Sequence, residues 1–370
     1  MKKILHMTPP DIQNGVYRYI FNHMQYMDLE KYRFSFLTKN PQDLCRTQEF
    51  KKYGFPVHGL CNVERDNPNG LRDEVMRILG EGYDAIHLHT SFWRGFLIEQ
   101  IAMEMKVAQV IVHSHSTGID EGNDRERMDR LIKHNAFKEK FSFEYATDVC
   151  ACSKLAGDWL YGNQIPRDKI RILPNAIDTK RYGYDPQVRR QKRREMGLEN
   201  RVIVGNIGRY CYQKNQKFLL SAFARAYSQN PALFLIMMGQ GELMAELKES
   251  ADGLGVGRQV LFLGWQEHIE QYLQAMDVFC LPSQFEGLAI SAVEAQAAGL
   301  PCLLSDTITR EIAVGDSVRF LPLKEETWAE ELAACTCCQL RDSAESQLIK
   351  KGYDIRQAAA KLEEFYENAG

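Results

Sequence analysis

Short apolar runs rich in Val, Ile, Leu and Phe alternate along this chain with longer amphipathic segments, and the whole alternation occurs twice. The first series runs through residues 3–6, 34–37, 85–89, 110–113, 149–151 and 170–173, the second through 202–207, 233–238, 260–263, 278–281, 302–304 and 318–321. Such runs are what strands show when helices cover both of their faces, and parallel strands need a long crossover between them. The sequence therefore predicts an α/β chain of two doubly wound domains, with a ligand at the carboxyl ends of the strands in a cleft that both domains face. Pro174-Asn175-Ala176-Ile177-Asp178 and a polar stretch with Gly183 and Pro186 separate the two series. That connector sets the first domain at 1–180 and the second at 181–352, with a last helical segment in 353–370 expected to return to the first.

A chain of 370 residues suits two domains of ordinary size. Lys plus Arg number 46 against 49 Asp plus Glu, a net charge of -3, so no strong field draws nucleic acid. The one dense basic run, Arg189, Arg190, Lys192, Arg193 and Arg194, reads as a solvated helix face. Cys45, Cys61, Cys150, Cys152, Cys211, Cys280 and Cys302 are scattered and read as small core residues of a reducing compartment. Cys335, Cys337 and Cys338 have no second group at zinc-ligand spacing. The apolar run after Lys2 and Lys3 stops at Pro9, too short for a secretory signal, and no later stretch is long enough to cross a bilayer. A cytoplasmic protein is expected.

The strongest chemical signal is Pro282-Ser283-Gln284-Phe285-Glu286-Gly287-Leu288-Ala289-Ile290, which follows the run 278–281 and leads into Ser291-Ala292-Val293-Glu294. Strand, turn and helix is the local reading. Gly287 lets backbone approach a ligand, and amides at a new helix's start attract a diphosphate. Glu286 stands where a carboxylate can meet hydroxyls beyond the phosphates, and Glu294, two turns on, can meet a ribose. Taken singly, Glu286 is equally a helix-start acid and Glu294 a surface residue. A second element, Gly208-Arg209-Tyr210-Cys211-Tyr212-Gln213-Lys214-Asn215, follows the run 202–207. Arg209 and Lys214 together make a clamp for a departing pyrophosphate, against the plainer reading of a surface pair before a helix.

Gly-Arg with Lys-Asn a few residues on, followed by Glu-x7-Glu, resembles the retaining GT-B glycosyltransferases of family 4. The likeness extends to Met238-Gly239-Gln240-Gly241-Glu242 and to Pro174-Asn175-Ala176-Ile177-Asp178. In Glu294-Ala-Gln296-Ala-Ala-Gly299-Leu-Pro301 and Ser305-Asp306-Thr307 it looks most like the capsular and exopolysaccharide branch. The resemblance implies two Rossmann-like domains and transfer from a nucleotide-diphosphate sugar, a UDP-sugar first of all, to a hydroxyl acceptor with retention. It places Arg209 and Lys214 on the phosphates, Glu286 on the sugar hydroxyls and Glu294 on the ribose. Gly287 and Leu288 would offer amides, and Gly264-Trp265 would lie near the base, unless Trp265 is ordinary loop packing. No cofactor and no metal is expected, because the two cations replace a divalent ion and no Asp-x-Asp stands at a strand end. The partners implied are the donor and a glycan, lipid-linked or other hydroxyl acceptor, and not nucleic acid. A lipid-linked acceptor would bring the chain to the membrane surface.

In the first half, Asp11-Ile12-Gln13-Asn14-Gly15 has Asn14-Gly15 where the family often has two glycines, and Gly15 would lie beside the diphosphate. His87, His89, His113 and His115 stand near strand ends, and alternation puts each pair on one face. The family's cleft histidine matches His115 best, with His113 the alternative. The charged stretch 123–143 and the loop before it are the candidate acceptor side. Two rivals remain: a nonhydrolysing nucleotide-sugar epimerase, and a non-catalytic sugar-nucleotide-binding protein. A nicotinamide dehydrogenase fails for want of Gly-x-Gly-x-x-Gly after either first strand.

Overall fold

The structure is a computed structural model. It describes residues 1–9, 15–337 and 341–368, the side chain of residue 49 excepted. Contacts divide the chain into two compact units, Met1–Ala176 with Ile355–Gly370, and Ile177–Asp354.

The first unit is built on a parallel sheet of seven strands: β1 Lys2–Met7, β2 Tyr32–Thr38, β3 Val57–Gly59, β4 Ala85–Thr90, β5 Gln109–Ser114, β6 Asp148–Ala151 and β7 Arg171–Ile172. Their order is β3-β2-β1-β4-β5-β6-β7, so the winding reverses between β1 and β4. The helix Gly15–Met24 and the returning helix Ile355–Glu367 cover one face with Val16, Tyr19, Ile20, Phe21, Leu362, Phe365 and Tyr366 against Ile4, Phe34, Phe36 and Ile111. Both helices have their apolar residues at three- and four-residue spacing, which is why each buries one side only. The strand β3 escapes sequence reading because Val-His-Gly carries no apolar run.

The second unit repeats the plan with β8 Val202–Ile207, β9 Leu233–Met238, β10 Val260–Phe262, β11 Val278–Leu281, β12 Cys302–Ser305 and β13 Val318–Leu321. The order β10-β9-β8-β11-β12-β13 reverses between β8 and β11. Its core joins Val204, Leu235 and Cys280 of the strands to Leu220, Phe223 and Trp328 of the helices.

Two expectations are corrected. The basic run lies on the helix Pro186–Met196, but Arg189 and Arg193 are 5% and 4% exposed. Arg189 donates to the carbonyls of Gln274 and Met276, Arg193 to that of Ala275, and both meet the buried carboxylate of Asp277, which also accepts from the Ile203 amide at 2.7 Å. A buried charge persists only when it is paired in this way. Arg190 and Arg194 alone of the five face solvent fully. Cys45 and Cys61 are exposed, whereas Cys150, Cys152, Cys211, Cys280 and Cys302 are buried. Cys338 lies outside the described residues. Among the described residues, no helix is long and apolar enough to cross a membrane.

Glu99, in the helix Leu97–Glu104, is 8% exposed, and burial, with the Glu64 charge adding to it, pushes its carboxyl up to about 8. A raised acid favours the fold below its ordinary value of 4.5 and loses that advantage as pH climbs through about 8. Glu99→Gln should therefore be more stable than the parent at pH 9 by a margin on the order of a few kcal/mol, and the difference should vanish near pH 4. Urea midpoints at the two pH values measure it; equal midpoints at pH 9 would refute the assignment.

Candidate active site

The loops that follow β8 and β11 stand side by side because those strands are neighbours at the point where the winding reverses, the position at which open α/β sheets hold ligands. The loop after β8 carries Arg209 and a single 3-10 turn, Tyr212–Lys214, closed by Asn215 in the left-handed region at φ 53°. Asparagine tolerates that conformation, and its side-chain nitrogen donates to the Pro282 carbonyl at 3.1 Å. Two more bonds fasten these loops together, the Gln284 amide to the Gln213 carbonyl at 2.8 Å and the Gln213 side chain to the Phe285 carbonyl at 3.0 Å, while Thr307 Oγ1, in the loop after β12, donates to the Ser283 carbonyl at 2.9 Å.

Within this frame Lys214 Nζ lies 2.6 Å from Glu286 Oε1, which also accepts from Ser283 Oγ at 2.6 Å, while Oε2 accepts from Gln213 Nε2 at 3.1 Å. The lysine stem packs over the Cα of Gly208. The sequence read Lys214 and Glu286 as facing different parts of a ligand; the structure joins them as one ion pair, with Glu286 5% exposed. Arg209, five residues before Lys214, is half-buried, its carbonyl bound by Gln216 Nε2 at 2.8 Å. Its loop is held by the segment after β9: Gly208 and Tyr210 donate to the carbonyls of Met238 and Gln240 at 3.0 and 2.9 Å. A methyl at Gly239, φ 146°, would strike the Gly208 carbonyl, so this close approach requires glycine.

The helix Ile290–Ala297 is buried on every side, and the residue before it, Ala289, has no side-chain atom with which to cap the first amides. Gly287 and Leu288 are buried just ahead of it. Glu294 is 0% exposed and accepts from the hydroxyl of Tyr182 at 2.8 Å, so it is no surface residue. Sequence reasoning missed Tyr182, which is 5% exposed and 112 positions away, and no local signal marks it. Gly264 sits at φ 66° and its carbonyl accepts from the Gly239 amide at 2.8 Å, which carries the loop after β10 to the loop after β9. Trp265 is 62% exposed and thus not packed in its loop.

In the first unit Gly15 opens the helix Gly15–Met24; Asp11 to Asn14 lie outside the described residues. The strand register sets His6 opposite His87 and His89 opposite His113, all on the face that the helices cover. Two hydrogen-bonded series result. Tyr366 Oη meets His87 Nδ1 at 2.8 Å and His87 Nε2 meets His113 Nδ1 at 3.1 Å. His6 Nδ1 meets His89 Nε2 at 3.0 Å and His89 Nδ1 meets His115 Nε2 at 2.8 Å. His113 is fully buried, whereas His115, one residue past β5, is half-buried. Burial pulls the imidazoles of His6 and His115 down to about 3 and that of His23 to about 4, and holds His87, His89 and His113 well below the usual range. The triplets His6, His87, His89 and His89, His113, His115 each bring three ring nitrogens within 4.8 Å; His6–His89 and His89–His115 are hydrogen-bonded within them, and the ring pairs His87–His89, His89–His113 and His113–His115 lie 4.3, 5.7 and 4.0 Å apart between centroids. The charged stretch 123–143 holds the helix Asp124–Lys138, started by a reciprocal Asn123–Glu126 cap and exposing Met128 and Ile132.

The second sheet thus carries a cation–carboxylate pair at its reversal point, where open α/β sheets hold ligands. The profile described as "Glycosyltransferase Family 4" matches residues 13–181 and that described as "Glycosyl transferases group 1" matches 188–334. Over 99% of its length the chain is 31% identical to the candidate glycosyltransferase EpsF of Bacillus subtilis (strain 168), covering 96% of that protein. It is 25% identical to the UDP-Gal:alpha-D-GlcNAc-diphosphoundecaprenol alpha-1,3-galactosyltransferase of Escherichia coli, across 82% of this chain and 79% of that one. The crystal structure of Anabaena Alr3699/HepE in complex with UDP and glucose superposes over 100% of both chains with a TM-score of 0.78 at 17% identity, a likeness of fold. The chain belongs to the GT-B glycosyltransferases of the group 1 and family 4 type.

Proposed function

We propose that this glycosyltransferase moves a sugar from a UDP-sugar to a hydroxyl of a glycan or lipid-linked acceptor, with retention at the anomeric carbon, in the assembly of a capsular or exopolysaccharide-type polymer. The observation that carries the reading is the Lys214–Glu286 pair held between the loops after β8 and β11. A lysine fixed there can meet the diphosphate while its partner carboxylate accepts from sugar hydroxyls. The UDP-galactose in the name of the Escherichia coli relative and the UDP and glucose in the Anabaena structure support the choice of donor, and the diphosphoundecaprenol in the first name supports a lipid-linked acceptor.

In this reading Arg209 and Lys214 take up the charge that grows on the diphosphate as the bond from C1 to the phosphate oxygen breaks. The acceptor oxygen bonds to C1 on the same face and its proton passes to the departing phosphate. Glu286 is assigned to the sugar hydroxyls and not as the nucleophile, and Lys214, Ser283 and Gln213 hold its carboxylate in place. Gly287 and Leu288 offer amides, Gly264 and Trp265 border the base, Gly15 borders the diphosphate and His115 contacts the sugar. Glu294 binds the ribose once its cover shifts, since at 0% exposure it presents no surface. No metal and no cofactor takes part.

Thermal shift against UDP-, GDP- and ADP-sugars tests the donor, a hundredfold excess over Kd being worth about 2.7 kcal/mol. Stabilisation by UDP-sugars above the others, and transfer to a polyprenyl-diphosphate sugar that persists in EDTA, is the expected result. Transfer lost in EDTA and restored by manganese would sink the metal-free clamp. Isomerised donor formed without acceptor would mark an epimerase, and binding with neither transfer nor donor hydrolysis a non-catalytic binder.

A further inference from the structure

We infer that His89 and His6 are positioning residues that decide which ring nitrogen of His115 carries its proton, and so whether His115 offers the donor sugar a hydrogen-bond donor or an acceptor. The inference rests on the reading of His115 as a sugar contact.

A neutral imidazole has one N–H and one bare nitrogen. His89 uses both nitrogens within the series, Nε2 with His6 Nδ1 at 3.0 Å and Nδ1 with His115 Nε2 at 2.8 Å. It must therefore donate at one end and accept at the other, and the three rings share one direction. If His6 donates to His89, then His89 donates to His115, and His115 Nδ1 keeps a proton to give. In the opposite direction His115 gives its Nε2 proton to His89 and turns a bare Nδ1 outward. Passing from the first state to the second releases one proton at His115 Nδ1, takes up one at His6 Nε2 and moves two along the series, so the count balances.

Mere filling of the core does not call for these rings. Phe34 and Phe36 occupy the same layer, with centroids 5.6 and 5.8 Å from His6, so phenyl rings fit there without the cost of burying ring nitrogens. Tyr19 packs its edge against His89 and His115 at 5.8 and 5.0 Å and limits their rotation. His6 and His89 are 2% and 9% exposed while His115 is half-buried, so the series leads from the core outward to its most exposed ring.

The test is nitrogen-15 NMR of histidine-labelled full-length protein, with kcat and donor KM measured on the same samples. His6→Phe removes the far end, and His89→Asn keeps a small polar group facing His115 while cutting the link to His6; thermal melting confirms that each is folded, and either variant alone decides if the other is not. His115 should show one tautomer in the parent and a mixture in the variants, with kcat lower by about tenfold or more and KM changed less, as when the outer partner of a working histidine is removed. A single, unchanged His115 tautomer in the variants would overturn the inference. Mixed tautomers with unchanged kcat would support the series and remove His115 from the sugar site instead.

Discussion

Lys214→Ala should lower kcat by on the order of a hundred- to a thousandfold, the loss typical when one preorganised donor to a developing negative charge is taken away. The same substitution leaves Glu286 as a carboxylate only 5% exposed without its ion-pair partner, a situation that costs about 3 to 5 kcal/mol when one member of a buried pair is deleted. Loss of activity could then be mistaken for loss of fold. The double variant Lys214→Ala, Glu286→Gln separates the two, because a neutral amide can keep the bonds to Ser283 and Gln213. Its melting temperature should recover toward the parent while kcat stays well below that of Glu286→Gln alone, which gives the share of the loss that belongs to the carboxylate. Recovery of both would mean that Lys214 serves the fold and not the leaving diphosphate.

Acid should unfold the first unit well before the second. His6, His23, His87, His89, His113 and His115 are all held neutral by burial, with folded values of about 3 to 4 where a number can be given. A depressed histidine contributes stability that is complete above its ordinary value of 6.5 and is lost as pH falls toward the folded value. Each ring then costs about 1.4 kcal/mol per pH unit below that point. Six together exhaust an ordinary stability of about 5 to 15 kcal/mol between roughly pH 6 and pH 5. The second unit contains His268 alone among the chain's nine histidines, and it is exposed. Hydrogen exchange read by mass spectrometry at pH 7 and pH 5 should show new exchange in β1, β4 and β5 but not in β8, β9 and β11. Equal protection of both units at pH 5 would refute the argument.

Most of this fold could be read from the chain because the central strands of a doubly wound sheet are covered on both faces and must be continuously apolar. The runs 202–207, 233–238 and 278–281 coincide with β8, β9 and β11 to the residue. At the edges the rule weakens: β7 shrinks to two residues, both exposed, and β3 carries a histidine and a glycine. The site was legible as a set of residue types and illegible as a set of partners. Lys214 and Glu286 are 72 positions apart and meet only because β8 and β11 are neighbours, which depends on strand order. Alternation put His87 with His89 and His113 with His115, but only the parallel register aligned the pairs and added His6. Arg189 and Arg193 lie four apart in a helix otherwise basic and exposed, and their burial answers to Asp277, a distant residue no local pattern can point to.

The returning helix Ile355–Glu367 has a consequence for synthesis. Tyr366 bonds to His87 and Phe365 lies in the first unit's core, so that core lacks two of its aromatic side chains until the ribosome has passed residue 366. The ribosome delivers the second unit whole, as an insertion, between the two parts of the first. The second unit can thus fold while the first still waits for the helix Ile355–Glu367, and the unit that is begun first is completed after the other.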